Sequence, residues 1–185
     1  MSRGNLFVFS GASGVGKSTV LGKVMEGRED LLFSVSATTR AMRPGEKDGV
    51  NYYFITREEF EKRIRENDFL EYDEHAGAMY GTLFSQVKEK LERGNVILDI
   101  EPNGAKNVRR LCPDATLIFI VPPSWQELER RLRGRGDTSE EQIALRLARA
   151  GWEMEQRSWY DYIVVNGDEK TCAEEILNII AAKAD

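Results

Sequence analysis

The stretch Gly11, Ala12, Ser13, Gly14, Val15, Gly16, Lys17, Ser18, Thr19 puts three glycines within six residues and follows them with a lysine and two hydroxyls. Glycine loses more backbone freedom on folding than any other residue, so such a run implies a need for bare backbone. The spacing is that of G-x-x-x-x-G-K-[ST], in which main-chain N–H groups wrap a phosphate, the lysine reaches the outer phosphates and the hydroxyl ligates Mg²⁺. Asn5 to Ser10, NLFVFS, reads as a short apolar strand, and Val20, Leu21 and Val24 recur at helical spacing from Lys17 onward. A strand therefore feeds a loop that opens a helix N-terminus, where free N–H groups and partial positive charge favour an anion. The expected ligand is a nucleoside triphosphate on Gly11 to Thr19, with Ser18 at the metal.

Elsewhere the runs NVILDI, ATLIFIV and DYIVV are each followed by a helical pattern, at Ala105 to Leu111, from Trp125, and at the C-terminus. That alternation predicts βαβ units around a parallel sheet. Capping-box patterns mark helix starts at Thr56 with Glu59, Ser124 with Glu127, Thr138 with Glu141 and Thr171 with Glu174. Gly94, just past SQVKEKLER, is expected as a left-handed C-cap residue.

Two segments break the alternation. From about Ser34 to Tyr80, the short runs FSVSATT, YYFI and FLEYDEH, the turn RPGEKDG and one short helix predict a small, partly antiparallel layer inserted into the core. From Ser124 to about Met154, a charged helical stretch is broken at Gly134-Arg135-Gly136-Asp137, which suits a lid that swings over a site. The 185 residues are read as one domain: core about 1–33, 83–123 and 155–185, insert about 34–82, lid about 124–154.

Composition removes several function classes. A net charge of −5 argues against generic nucleic-acid binding, so any anion must meet locally gathered arginines. Cys112 and Cys172 lie outside any metal or redox spacing and read as reduced thiols, and the single histidine, His75, leaves no basis for a histidine cluster. Apolar runs are too short for a signal segment or a bilayer span, so a soluble, cytoplasmic protein without membrane partners is expected.

Phosphoryl transfer needs cations at both donor and acceptor. In SVSATTRAMRPGE, Arg40 and Arg43 lie three apart with no acid between Leu31 and Gly45, and their planar forks suit phosphate oxygens. In the lid candidate, Arg130, Arg133 and Arg149 read as a solvated helix face with i,i+4 partners, whereas Arg135 sits between glycines, with Arg131 one helical turn before it and Arg146 on the following helix. Glu71 in FLEYDEH, with Tyr80, Gly81 and Thr82 in MYGT, offers a carboxylate to the paired N–H donors of guanine, a pair that adenine lacks.

Together GASGVGKST, FSVSATTRAMRPGE, NYYF, FLEY, YGT, LDI, PPS, RRLRGRG and YDYIVVN resemble bacterial guanylate kinases from about Leu6 to the last helix. The resemblance implies the P-loop nucleoside monophosphate kinase fold: a five-stranded parallel sheet with helices on both faces, a GMP-binding insert and a helical lid. It implies MgATP as phosphoryl donor and GMP as acceptor. It assigns Gly11 to Ser18 to the ATP phosphates, and Lys17, Arg43, Arg135 and Arg146 as the catalytic cations. It places Arg131 and Asn166 at ATP, Arg40, Arg43, Tyr52 and Tyr80 at the GMP phosphate, and Glu71, Ser36 and Thr82 at guanine. Where the family reads D-I-D-x-Q-G, this chain has Asp99, Ile100, Glu101, Pro102, Asn103 and Gly104; Asp99 and Glu101 are placed at the acceptor end. Gly167 stands where aspartate is common after Asn166, and Gly151 and Trp152 replace smaller or more polar residues. Two further readings stay open: a noncatalytic module that binds phosphorylated peptides, and a kinase with another phosphorylated acceptor. Glu71 argues against AMP, which would leave it unpaired.

Overall fold

The computed structural model describes residues 4–75, 77–134 and 139–184. Arg135 and Thr138 lie outside the described residues, as does the side chain of His75. In chain order, β1 (Leu6–Gly11) runs to α1 (Lys17–Met25), β2 (Leu31–Phe33), β3 (Ala37–Thr38), β4 (Tyr53–Phe54), α2 (Arg57–Arg65), β5 (Phe69–His75), β6 (Ala78–Leu83) and α3 (Phe84–Leu91). β7 (Asn95–Asp99), α4 (Pro102–Leu111), β8 (Thr116–Val121), α5 (Trp125–Arg133), α6 (Glu140–Glu155), β9 (Tyr162–Val165) and α7 (Glu169–Ala184) follow. Five strands form one sheet in the order β2-β7-β1-β8-β9, and four form another in the order β4-β3-β6-β5. The first is the parallel sheet read from the alternating pattern; the second is the inserted layer. No helix among the described residues is long and apolar enough to cross a membrane.

The chain divides into two compact units, one of which comprises Phe7–Glu29, Asp99–Pro102 and the chain from Thr116 onward. Here β1 and β8 are buried at every position and pair in parallel, with Phe7 opposite Thr116 and Gly11 opposite Ile120. Their continuous apolar sequences follow from that burial, since parallel strands are covered on both faces. β9 continues the sheet, and α1 packs on α7 through a core that includes Val20, Val24, Ile176 and Ile180.

Two helix starts differ from the capping patterns. The Asp168 carboxylate accepts the N–H and the hydroxyl of Thr171, both at 2.8 Å, so α7 starts ahead of Thr171, with an acid at its positive end. α6 is capped by Ser139, whose hydroxyl accepts the N–H of Gln142, one residue beyond the position read from sequence. Ser124 caps α5 as its pattern predicts.

The other unit comprises the chain up to Leu6, Asp30–Leu98 and Asn103–Ala115. The β5–β6 hairpin, with Gly77 at φ 78°, pairs antiparallel with β3, and β4 lies parallel to β3. Ala37, Phe60, Phe69, Met79 and Leu83 form its core, with Phe60 of α2 stacked on Phe69 at 4.3 Å between ring centres. Thr56 caps α2 as expected. The end of α2 turns through Asn67 at φ 56°, with Asn67 N–H on Ile64 O and Asp68 N–H on Arg63 O. These are the two closing bonds of a Schellman motif, with asparagine in glycine's usual place.

Sequence patterning missed two strands, β2 and β6. β2 has only three residues, and β6 carries Gly81, which weakens a strand pattern; the run FSVSATT divides between the two sheets. α4 begins at Pro102, ahead of the expected Ala105, because proline at the first helical position has no N–H to leave unpaired. Gly94 is not left-handed. A Cβ there would meet Asp30 O at 2.7 Å, so close backbone approach is what demands glycine.

Candidate nucleotide-binding site

The glycine loop joins β1 to α1 in the first unit. Gly14 and Gly16 hold φ of 88° and 90°, and a Cβ on Gly16 would meet Asn166 Nδ2 at 2.9 Å. Both positions therefore exclude side chains on conformational grounds and on space, since a Cβ on Gly14 would meet the buried Leu132 Cδ2 at 2.5 Å. Gly16 is the N-cap of α1, so the free N–H end of that helix follows the loop directly. Ser18, the second residue of α1, is exposed and offers a hydroxyl oxygen there. The Lys17 ammonium forms an ion pair with Asp99.

Several long-range bonds fix the loop. Val15 O accepts from Asn166 Nδ2 at 2.8 Å and from Arg131 Nη1 at 3.0 Å, while Arg131 Nη2 donates to Asn166 O at 3.0 Å. Arg131 Nε is held by Glu127 at 2.8 Å, so this guanidinium is committed to bracing the loop. Hydrogen bonds from Arg130 and then Arg131 hold the Glu127 carboxyl down at about 2. Ser13 N–H donates to Glu153 Oε2 at 2.7 Å, and Arg146 Nε and Nη2 each lie 3.4 Å from Ser13 Oγ.

Arg149, expected on a solvated face, instead bonds the buried Glu153 at 3.0 Å and pairs with Glu101 at 3.2 Å. Arg130 and Arg133 do pair with acids of their own surface. Glu153, which carries no local sequence signal for this role, is 140 residues from its loop partner. Burial pushes its carboxyl above the ordinary range, against the Ser13 N–H, which lowers it.

In the second unit, Glu46 N–H bonds Arg43 O at 3.1 Å across Pro44 and Gly45, with Gly45 at φ 88°. This is a type II turn with proline and glycine at their preferred central positions. It folds Glu46 back to accept Arg43 N–H at 2.7 Å and both terminal nitrogens of Arg40 at 3.0 and 2.8 Å. The hydrogen bond from Arg40 lowers the Glu46 pKa, and that to Glu46 raises the Arg40 pKa. The neutralising acid thus lies just past the acid-free window, and the turn sequence RPGE was the available signal. Arg40 also stacks over Tyr52 at 5.4 Å from its ring centre, and Tyr52 meets Tyr80 edge-on at 5.9 Å. Three of the expected phosphate residues are therefore adjacent. Arg43 is exposed, and its guanidinium has no hydrogen-bond partner among the described residues.

Glu71 is aimed by a β-bulge. Between Phe69 and Glu71 the register with β6 slips, so Glu71 lies opposite Thr82. Thr82 Oγ1 donates to Glu71 Oε1 at 2.6 Å. A Cβ on Gly104 would meet Glu71 Oε2 at 2.8 Å, and one on Gly81 would meet Glu71 O at 2.8 Å. The two glycines thus leave space for this strand and carboxylate, a role for Gly104 that sequence reasoning did not assign. Ser36 stands just before β3, where its carbonyl accepts Tyr53 N–H at 2.9 Å. Asp99 and Glu101, read as acceptor-end residues, are held in the ion pairs with Lys17 and Arg149.

A glycine loop ahead of a helix N-terminus, at the end of a central parallel strand, defines a P-loop nucleotide-binding protein. A family model described as Guanylate kinase matches residues 3–183. The guanylate kinase of Thermus thermophilus is 50% identical over 182 residues, spanning 98% of this chain and 82% of that protein. That of Rubrobacter xylanophilus is 49% identical over 181 residues, with 97% and 95% covered. The crystal structure of guanylate kinase from Anaplasma phagocytophilum matches with a TM-score of 0.78 at 33% identity, covering 100% of this chain and 88% of that one. The chain belongs to the guanylate kinase family.

Proposed function

We propose that this chain transfers the γ-phosphoryl group of ATP to GMP, giving ADP and GDP, in purine nucleotide metabolism. The observation that carries the proposal is the intact donor loop, with Gly14 and Gly16 at positive φ and Lys17 and Ser18 opening α1. A noncatalytic phosphopeptide module has no need of that apparatus. In this reading Gly11 to Thr19 and Asn166 hold ATP, with Arg131 bracing the loop. Glu71 accepts N–H groups from guanine, with Thr82 and Ser36 beside it, and Gly81 keeps the strands close. Arg40, Arg43, Tyr52 and Tyr80 take the GMP phosphate, and Asp99 and Glu101 belong to the acceptor end.

The transition state spreads charge over the peripheral oxygens of the moving phosphoryl group, so the protein contributes position and positive charge. Asp99 holds the Lys17 ammonium until a phosphate takes its place. Arg43 is left exposed to meet an incoming anion, and Arg146 and Arg135 supply the remaining cations. No group of three or more His, Cys, Asp or Glu among the described residues could cage a metal. The Ser18 hydroxyl, exposed at the start of α1, would instead hold Mg²⁺, an ion that needs few protein ligands because it keeps much of its hydration. When bound, it neutralises charge between the phosphates.

The division into a core, a GMP-binding region at about 34–82 and a lid at about 124–154 belongs to the same proposal, as do a cytoplasmic location and the absence of nucleic-acid partners. The test is a coupled assay of ADP formation with Mg²⁺, ATP and a panel of nucleoside monophosphates. Turnover with GMP far above that with AMP is expected, and turnover should stop when EDTA removes Mg²⁺. No GMP-dependent ADP formation would falsify the proposal.

A further inference from the structure

Glu153 poses an electrostatic problem. It is a carboxyl only 1% exposed, placed against a loop built to receive a polyanion, where a negative charge opposes the ligand. An acid there must contribute something other than charge. The loop's hydrogen bonds show what. Ser13 N–H goes to Glu153 at 2.7 Å, and Val15 N–H goes to Ala12 O at 3.0 Å. The N–H groups of Gly14 and Gly16 make no hydrogen bond among the described residues, and these are the two positions at positive φ. Amides thus alternate along the loop between partnered and open.

We propose that Glu153 is a positioning residue for the donor loop: by taking the Ser13 N–H it holds the alternation that leaves the Gly14 and Gly16 amides for a nucleotide phosphate. Arg149 makes this tolerable, since its Nε bonds Glu153 at 3.0 Å while its fork pairs with Glu101 at 3.2 Å. The Arg149 charge offsets the carboxylates that the phosphate would otherwise meet. Arg146, Arg149 and Glu153 lie on one face of α6, so the same helix grips Ser13 at its amide and approaches its hydroxyl. Glu101, which stands where the family motif has aspartate, shares the Arg149 guanidinium with Glu153.

The inference rests on the loop being the ATP site, and its test separates the two ideas. In the unaltered, nucleotide-free protein, hydrogen exchange read by NMR should show the Ser13 amide protected and those of Gly14 and Gly16 open. Equal protection at all three overturns the proposal, and this measurement needs neither a variant nor turnover. Glu153→Ala should raise the KM for ATP about tenfold, the scale of one lost charged hydrogen bond, and leave the KM for GMP within about twofold. Glu153→Gln keeps an oxygen for Ser13 and should recover most of the loss. An unchanged KM for ATP, or equal rises for both substrates, would show that Glu153 serves general stability only. Failure of the unaltered chain to phosphorylate GMP would refute the functional reading while leaving the amide result intact.

Discussion

Gly104→Ala is a one-methyl probe of Glu71, the carboxylate proposed to accept from guanine. The added Cβ would stand 2.8 Å from Glu71 Oε2, 2.9 Å from Cγ and 3.1 Å from Cδ. Comfortable contact requires about 3.5 Å or more, so the Glu71 side chain must retreat by roughly 0.7 Å at its closest atom. Its anchor is the 2.6 Å bond from Thr82 Oγ1, which a shift of that size lengthens past the usual O–H···O⁻ range. A hydrogen bond to a charged group contributes about 1.5–3 kcal/mol, so partial loss here, together with misaligned guanine donors, predicts a rise of about tenfold in the KM for GMP. The KM for ATP should stay within about twofold. Alanine is the better helix former by about 1 kcal/mol inside α4, so the melting temperature should not fall. Coupled-assay kinetics with each substrate varied in turn, plus thermal melts, decide the matter. A KM for GMP within twofold of the unaltered protein, with melting also unchanged, would refute the claim that Gly104 makes room for Glu71.

Three further outcomes follow from the same structure. Lys17→Ala should cut kcat by orders of magnitude while barely moving the melting temperature, because its ion pair with Asp99 is partly exposed; near-normal kcat would mean that the donor loop is misread. Glu127, held down at about 2, favours the folded state above its ordinary value near 4.5 and loses that contribution as pH falls toward 2. Melting curves of the protein and Glu127→Gln should therefore converge between pH 5 and pH 2, and a gap constant across that range would contradict the pairing. Burial pushes the Cys172 thiol up to about 11, so alkylation at pH 8 should reach Cys112 well before Cys172; labelling at equal rates would show that α7 opens readily.

Much of the fold was legible because its signals are local. The apolar runs of β1 and β8 need only their own residues to announce buried parallel strands, and the hydroxyls of Thr56 and Ser124 cap helices three positions away. The glycine loop was readable for the same reason, since its positive φ values are a property of the residues that adopt them. The candidate site was legible as residue types but not as partners. Arg40 looked unopposed until a Pro-Gly turn brought Glu46 back to it, and Arg149 looked solvated until the fold put Glu153 and Glu101 beside it.

Strand β6, the bulge that turns Glu71 toward Thr82, and the space kept by Gly104 depend on pairing between distant segments. So does the bond from Ser13 to Glu153. Sequence alone determined that this chain has a phosphate loop and a parallel core, because backbone preference and hydrophobic period act over a few residues. Tertiary structure alone decided which charges neutralise one another and which amides stay open, because a hydrogen bond depends on distance in space, and chain closure sets that distance.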